Sequence, residues 1–543
     1  MSNQITVKNI PDIFRLGMAA GWITHNGSEL DKELHLECDV LVIGTGAGGG
    51  TAAEIFAQQG LKVIMLEEGP LQTSNDFDMQ EKKAYSNLYQ EGLTRGTKDG
   101  AFTIMQGRTV GGSTTVNWTA SFRTPEQTLS HWTKEHGLKG FSKEEMAPWF
   151  EKMEQRLNIS KWAMKPNANN NVIAKGCEKL GYDWQVIPRN VKGCWNLGYC
   201  GTGCPTNAKQ SMLVTTIPAA MEMGAELLYR ARAEKLIING DQVKGVTGYG
   251  LKANGIDPTA AFTITAKQTV MACGGINGPG LLMRSQVPDP HQRIGKRTFL
   301  HPVPATLADF EERIDGFYGA PQSIYSDHFQ WRNGTQGAAG FKLEVPPLQP
   351  GFVASIGMGH GQMHSDQMNR LPHLNMMIAL IRDGFVEQSP GGEVYMRDDG
   401  IPGLDYPIND YLNEAIVRAW KVMAEIQFAA GAKKVRIVHS QQQYLSSMAA
   451  IENELNTIDL SINKMRVGSA HVMGGCAMGE DVKTSVVNSE GKFHHLAGLH
   501  IMDGSTFPTS IGANPQLSIY GMVAKQATTL AKQIRTQQLF SRA

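Results

Sequence analysis

The amino-acid sequence predicts an α/β protein of two domains, one built on a parallel βαβ unit and one rich in strands. Three observations predict it. Residues 38–68 run from an apolar strand through spaced glycines and a short helix into a second apolar strand. A second glycine turn, Gly274-Gly275-Ile-Asn-Gly-Pro-Gly, follows another apolar strand at 268–272, as the return of a split sheet would. From about 301 to 464 the composition shifts to Pro, Gly, Gln, His and Met, with alternating stretches at 375–381 and 392–396. A chain of 543 residues also exceeds what one hydrophobic core usually spans.

In the first unit, Val40, Leu41, Val42 and Ile43 form the apolar run of a buried parallel strand. Gly44, Gly46 and Gly49 supply a G-x-G-x-x-G spacing. The first makes the tight turn, the second admits a pyrophosphate to the backbone, and the third lets helix and strand pack closely. Residues 51–59 are expected as a helix whose N-terminus turns unpaired N–H groups and positive dipole toward the phosphates. The strand at 62–66 ends at Glu67, where an acid can bind ribose hydroxyls. A bare glycine motif is weak evidence. With both strands, the helix and the acid, it predicts a dinucleotide site.

Charge and composition narrow the partners. Lysine plus arginine equals aspartate plus glutamate at 51 each, which leaves no electrostatic footprint for nucleic acid or an acidic membrane. No apolar run reaches the ~18–20 residues of a membrane helix. A basic segment leading into an apolar stretch is absent from the N-terminus, so no secretory signal is expected. Cys38, Cys177, Cys273 and Cys476 are scattered and expected reduced, which fits a cytoplasmic setting. Residues 10–23, with Ile10, Ile13, Phe14 and Met18 around Asp12 and Arg15, read as a short amphipathic helix. Packing on the protein's own surface is the expectation there, and peripheral contact with a membrane the alternative.

Beyond the first unit, 107–125 sets Ser113, Thr114 and Asn117 among glycines and apolar residues, as a loop lying against a flat ligand would. Helices are expected near 143–157 and 170–180, and strands over 224–250 joined by a turn at 239–241. Near the C-terminus, Asn514-Pro515 reads as a helix start, followed by Tyr520, Val523, Ala527, Leu530 and Ile534 at helical spacing. His471 sits among glycines and small residues, where a ligand could reach its ring. A structural histidine would explain it equally, and N-capping alone would explain Asn514. The residues by themselves leave both readings open.

Together the blocks at 44–67, 107–125, 274–301 and 468–520 resemble the glucose–methanol–choline (GMC) family of FAD-dependent oxidoreductases. The resemblance runs from Asp39 to about Ile534. Val110-Gly-Gly-Ser-Thr-Thr-Val-Asn-Trp-Thr-Ala-Ser-Phe-Arg-Thr-Pro125 is most similar to the long-chain alcohol oxidase and dehydrogenase branch. Cys200-Gly-Thr-Gly-Cys-Pro205 with Lys209-Gln210-Ser211 points the same way. Gly278-Pro279 and Ser285-Gln286 depart from the commoner Ser-Pro and Ser-Gly of the family.

The resemblance implies a Rossmann-like FAD-binding domain with an inserted α+β substrate domain built on an antiparallel sheet. The FAD domain would take 36–130, 191–300 and 465–543, and the substrate domain 131–190 and 301–464. Gly44, Gly46, Gly49 and Glu67 would hold the ADP half of FAD. Gly112, Ser113 and Asn117 would line the flavin, with Asp503 and Gly504 near the ribityl or pyrophosphate. The helix starting at Pro515 would favour the anionic reduced ring.

His471 and Asn514 match the family's catalytic pair. The resemblance implies oxidation of an alcohol, an apolar or long-chain one in this branch, to an aldehyde or ketone. The histidine would accept the hydroxyl proton, the asparagine amide would bond the oxygen, and a hydride would pass to flavin N5. O2, a quinone or a redox protein would be the electron acceptor. A sugar or polyol dehydrogenase, and a flavoprotein subunit feeding a cytochrome, are the alternatives. Some relatives carry an iron–sulfur cluster near the position of Cys194, Cys200 and Cys204, but three cysteines are a bare minimum for a cluster. No metal is expected here. Buried or disulfide-paired cysteines stabilising a loop over the flavin are expected instead.

Overall fold

The computed structural model describes residues 10–357, 359–440, 443–462 and 464–540. The apolar runs Leu34–Ile43 and Val63–Leu66 lie inside an eight-stranded sheet. Thr24–Asn26, Glu226–Tyr229, Val63–Leu66, Leu34–Ile43 and Pro258–Met271 follow one another across it as parallel neighbours. Val42 stands opposite Met65 on one side and Val270 on the other. All three are buried, as expected of a parallel strand covered on both faces.

The long strand Pro258–Met271 changes partners along its length. Its first half pairs antiparallel with Gln242–Leu251, which pairs in turn with Ala231–Asn239. Its last three residues run parallel with Leu499–Ile501. This second pairing brings the C-terminal segment to the carboxyl ends of the central strands, where open α/β sheets place their ligands.

The helix after Gly44 occupies Ala47–Gln58, four residues ahead of the sequence expectation. Gly48, Gly49 and Gly50 therefore lie inside it. A Cβ on Gly49 would stand 1.8 Å from the Gly44 carbonyl oxygen, so the helix can approach the strand only without one. Gly44 itself has φ +98° and would drive a Cβ to 2.3 Å from the Ala272 oxygen, a conformation that suits glycine. The second glycine block is likewise the first turn of a helix, Gly274–Arg284.

Around this sheet, the C-terminal helix Gln516–Phe540 packs on Ala47–Gln58 and on Lys143–Arg156. Tyr520, Val523, Ala527, Leu530 and Ile534 form its buried stripe. Lys143–Arg156 opens on a capping box between Ser142 and Glu145. Its Met146, Phe150 and Met153 share the core of the central strands.

A second, six-stranded sheet is antiparallel throughout, in the order Lys434–Ile437, Ala305–Asp309, Leu374–Ile381, Phe341–Glu344, Ile324–Ser326 and Gln185–Val186. Helices Ala168–Leu180 and Asp410–Ala430 pack together and share a core with one face of it. Strand Leu374–Ile381 is buried on both faces, so the alternation expected at 375–381 is not found; its apolar run 376–381 faces a core on either side. Met377, Ala379 and Ile381 join the helical core, while Met376, Ile378 and Leu380 join a separate cluster with Ala305 and Leu307. Helix Ile13–Ala19, capped by Asp12, seats buried Phe14 edge-on against Trp22 on the protein's own surface. No described helix is long and apolar enough to cross a membrane.

Candidate active site

The two sheets meet around a cavity of about 1120 Å³ that runs from the carboxyl ends of the parallel strands to the apolar face of the antiparallel sheet. At the first end its wall is Gly44, Thr45, Gly46 and Glu67. Gly49 packs behind this wall, not on it. One Glu67 oxygen accepts from the Thr45 N–H (3.1 Å) and hydroxyl (2.6 Å), the other from the Gly69 N–H (2.9 Å). Burial raises this carboxyl's pKa. The Thr45 hydroxyl also accepts from the Gly111 N–H at 3.0 Å, which ties the first glycine turn to the second glycine loop. Glu68 lies on the same wall between Arg108 and Arg232, each at 2.8 Å, and these guanidiniums hold its pKa at about 2 against the effect of burial.

Along the middle stand Gly112, Ser113, Asn117, Asp503 and Gly504. Gly112 and Gly46 touch backbone to backbone: a Cβ on Gly112, whose φ is +54°, would come within 2.7 Å of the Gly46 Cα. Ser113 Oγ accepts from the Gly107 N–H at 2.9 Å. Asp503 accepts from the N–H groups of Ser505 and Gly274, both at 2.7 Å, and so joins the C-terminal loop to the first turn of Gly274–Arg284. Asn117 donates to Gln516 at 2.8 Å, at the start of the C-terminal helix.

Lys209 is buried beneath that loop and donates to the carbonyls of Thr115, Asn117 and Cys200, while burial lowers its pKa to about 8. Cys194, Cys200 and Cys204 surround this point as free, half-buried thiols. Of the two expected arrangements, buried or disulfide-paired, the structure has no disulfide: the thiols are free, with Cys200 accepting from Arg189 at 3.7 Å and Cys204 from the Lys209 N–H at 3.5 Å. Among the described residues no group of His, Cys, Asp and Glu is placed to hold a metal ion.

At the far end, His471 and Asn514 share the cavity wall with Pro515. The ring of His471 is partly open to the cavity, yet its surroundings are apolar enough to push its pKa down to about 4. Its Nδ1 lies 3.2 Å from Nδ1 of His301, a fully buried histidine whose Nε2 accepts from the Gly512 N–H at 3.1 Å. Ser469 Oγ accepts from the His471 N–H and donates to the Leu300 carbonyl, fastening the two histidine loops together.

The side chain of Asn514 does not cap the helix. It donates through Nδ2 to Glu344 at 3.1 Å, and its buried Oδ1 has no partner among the described residues. Glu344 also accepts from Gln322 at 2.6 Å. Neighbouring Lys342 lies over the rings of Phe122 (4.0 Å) and Tyr325 (3.6 Å). Burial raises the Glu344 carboxyl's pKa and lowers that of the Lys342 amine.

Sequence reasoning missed His301 and the Glu344–Lys342 pair. The histidine closes the glycine block 274–301, where nothing in the spacing marks it. The pair did leave a signal: Phe341-Lys-Leu-Glu344 puts two charges on one face of a strand whose four residues are all buried.

These residues fit FAD. The turn Gly44–Gly46 and the start of Ala47–Gln58 offer backbone N–H groups at one end. The abutting Gly46 and Gly112 leave a cradle that any Cβ would fill. His471 and Asn514 line the other end, and Asn514 Oδ1 is buried with no partner among the described residues.

Comparison with known proteins agrees. The N-terminal GMC oxidoreductase family model matches residues 85–303 and the C-terminal one residues 388–523. The chain is 30% identical to long-chain-alcohol oxidase FAO4B of Arabidopsis thaliana over 90% of its own length and 66% of the relative's. With FAO1 of the same plant it is 28% identical, over 89% and 65%. It thus spans just under two thirds of these relatives. Among solved structures, pyridoxine 4-oxidase from Mesorbium loti superposes with a TM-score of 0.67 at 16% identity, covering 91% of this chain and 99% of that one. Formate oxidase of Aspergillus oryzae RIB40 gives 0.67 at 14%, covering 93% and 100%. Matched by both halves of the family model over most of its length, the chain belongs to the GMC oxidoreductase family.

Proposed function

We propose that this chain, with FAD bound, oxidises the CH–OH group of an alcohol bearing a long apolar chain to the aldehyde or ketone. FAD, when bound, supplies the hydride acceptor. The observation that carries the reading is the chemistry of the cavity at its two sides. His471 and Asn514 lie where the wall is polar, and Met376, Ile378, Leu380, Ala305 and Val438 continue it as an apolar surface. Phe352 and Ile356 of helix Pro350–Ile356 lie along the same cavity.

A hydroxyl held between His471 and Asn514 would present its carbon to the flavin, and the apolar strand face would take the chain. Burying one methylene of that chain is worth about 0.8 kcal/mol, so such a wall favours long substrates over sugars or polyols. On this reading Gly44, Gly46, Gly49 and Glu67 serve the ADP half of the cofactor. Gly112, Ser113, Asn117, Asp503, Gly504 and Pro515 serve its flavin half. The likeness to long-chain-alcohol oxidases of Arabidopsis thaliana supports the substrate class.

The test is an anaerobic screen of alcohols of graded chain length, with sugars and polyols alongside, for bleaching of the flavin band. Bleaching by long-chain alcohols alone is expected. Bleaching by sugars in preference would overturn the substrate class. Air is then admitted, and the speed of reoxidation distinguishes O2 from another electron acceptor.

A further inference from the structure

We propose that Lys209 and Arg189 form a pair of buried cations, balanced by no carboxylate, that raises the reduction potential of FAD held against the wall at 113–119. The inference rests on the reading of Gly112, Ser113 and Asn117 as the flavin side of the cavity, and deepens it. Neither cation is on the cavity wall itself, so both act from behind it, by position and charge.

Lys209 is 2% exposed and Arg189 is fully buried. The ammonium donates to the carbonyls of Thr115 (2.6 Å), Asn117 (2.9 Å) and Cys200 (2.7 Å), which takes up all three of its hydrogens. Arg189 holds the next stretch of the same wall. Its Nε donates to the Thr119 hydroxyl at 2.7 Å and its Nη2 to the Trp118 carbonyl at 3.3 Å. Its Nη1 is buried without a partner among the described residues, and the guanidinium lies 4.8 Å over the ring of Trp162. Thr119 is a β-branched residue at φ +70°, a conformation that needs such support. Asn117, Trp118 and Thr119, whose backbone and side chains these cations hold, line the cavity on their other side.

Carbonyls and hydroxyls solvate a cation but do not cancel its charge. Among the described residues, the titratable groups whose charge Lys209 meets are Cys200, Cys204 and Arg189, with no Asp or Glu. Two buried cations without an anion are costly, and negative charge against the same wall offsets that cost. Bound FAD supplies such charge, and supplies more once reduced. Two electrons and one proton added to the oxidised ring leave it with one further negative charge. The cations therefore favour the reduced cofactor over the oxidised one, and burial keeps salt from screening them.

The test is the midpoint potential of FAD in the loaded protein at pH 7, read by dithionite reduction in equilibrium with a dye of known potential. No alcohol is present, so a failed alcohol screen and a failure here are separate results. Lys209→Met removes the charge together with its three hydrogen bonds. At a given dye potential the ratio of reduced to oxidised flavin should fall about tenfold, which is about 30 mV for a two-electron couple. An unchanged or higher potential would overturn the proposal.

Cys204→Asp separates charge from support, and it decides the matter where Lys209→Met does not fold. Cys204 Sγ accepts from the Lys209 N–H at 3.5 Å and lies within reach of the ammonium's charge. An aspartate there is held ionised by the cation, and Lys209 keeps its three carbonyls. The potential should fall as it does in Lys209→Met. Cys204→Asn, similar in size and neutral, should keep the wild-type potential. If the two Cys204 variants shift it equally, or neither shifts it, the cations only brace the wall and the proposal is refuted.

Discussion

At the scale of single residues, the reactive end depends on groups that are costly to bury. His471 lines the cavity and, among the described residues, its ring bonds only to His301, so truncating it removes the substrate contact at the cost of one buried hydrogen bond. His471→Ala should keep FAD and lose about 10²–10⁴-fold in the rate of anaerobic flavin reduction. Retained reduction would remove His471 from the chemistry. Behind Asn514, Glu344 and Lys342 are buried; Lys342 eases the burial of the Glu344 charge, while Asp327 and then Glu344 ease that of Lys342. Glu344→Gln keeps an acceptor for Asn514 and leaves Asp327 to compensate the Lys342 cation, at a cost of up to about 3 kcal/mol in unfolding free energy. Lys342→Met added to it should recover much of that loss, because the pair is then replaced rather than broken. Additive losses in urea denaturation would show that the two charges do not compensate each other.

At the scale of elements, helix Pro350–Ile356 packs on the antiparallel sheet through Val353, Phe352 and Ile356, and is fixed at its start by a carboxylate. Its first N–H groups, Gly351 and Phe352, donate to the Glu81 carboxylate at 2.6 and 2.8 Å, and Tyr85 holds the same carboxylate at 2.8 Å. Glu81→Ala frees the helix start at a cost of about 1 kcal/mol. It should raise KM for long alcohols several-fold and leave the limiting rate of flavin reduction unchanged, since His471 is on another element. A fall in that rate with KM unaltered would contradict the assignment of this helix to the substrate chain.

The sequence made the βαβ unit legible because each glycine there answers a local steric demand that spacing records. The helices near 143–157 and 170–180 were legible for a similar reason, as burial imposes its period on residue type, whereas the strand at 375–381 was found but its alternation was not, because both of its faces are buried. The start of Ala47–Gln58 was misplaced because consecutive glycines disfavour a helix by propensity, whereas here they permit contact with the strand. His301 and Glu344 were invisible because their roles depend on partners, Gly512 and Asn514, that lie some 170–211 positions away.

For the molecule as a whole, buried titratable groups set the response to acid, and they act in opposite directions. His471 and His500 have pKa values pushed down to about 4 by burial, and burial lowers that of His301 as well. A histidine that binds its proton less readily folded than unfolded contributes stability that is complete above the unfolded value, near 6.5. That contribution is lost as pH falls toward 4. Glu67, Asp383 and Asp503 are raised by burial, so the folded state binds their protons more readily and gains stability as pH falls through the same window. The loss of stability in acid is the difference between the two sets, and removing one histidine isolates its share. His500 suits the purpose: it lies in strand Leu499–Ile501, its Nδ1 is buried without a partner, and it is not on the cavity wall. His500→Phe should be less acid-sensitive than wild type, with about 2 kcal/mol less stability lost between neutral pH and about pH 5. The comparison requires equal FAD saturation, because a ligand held by the native state alone raises stability by mass action. If the unfolding curves of variant and wild type stay parallel across that range, His500 is not a source of the loss in acid, and the weight falls on the histidines at the reactive end.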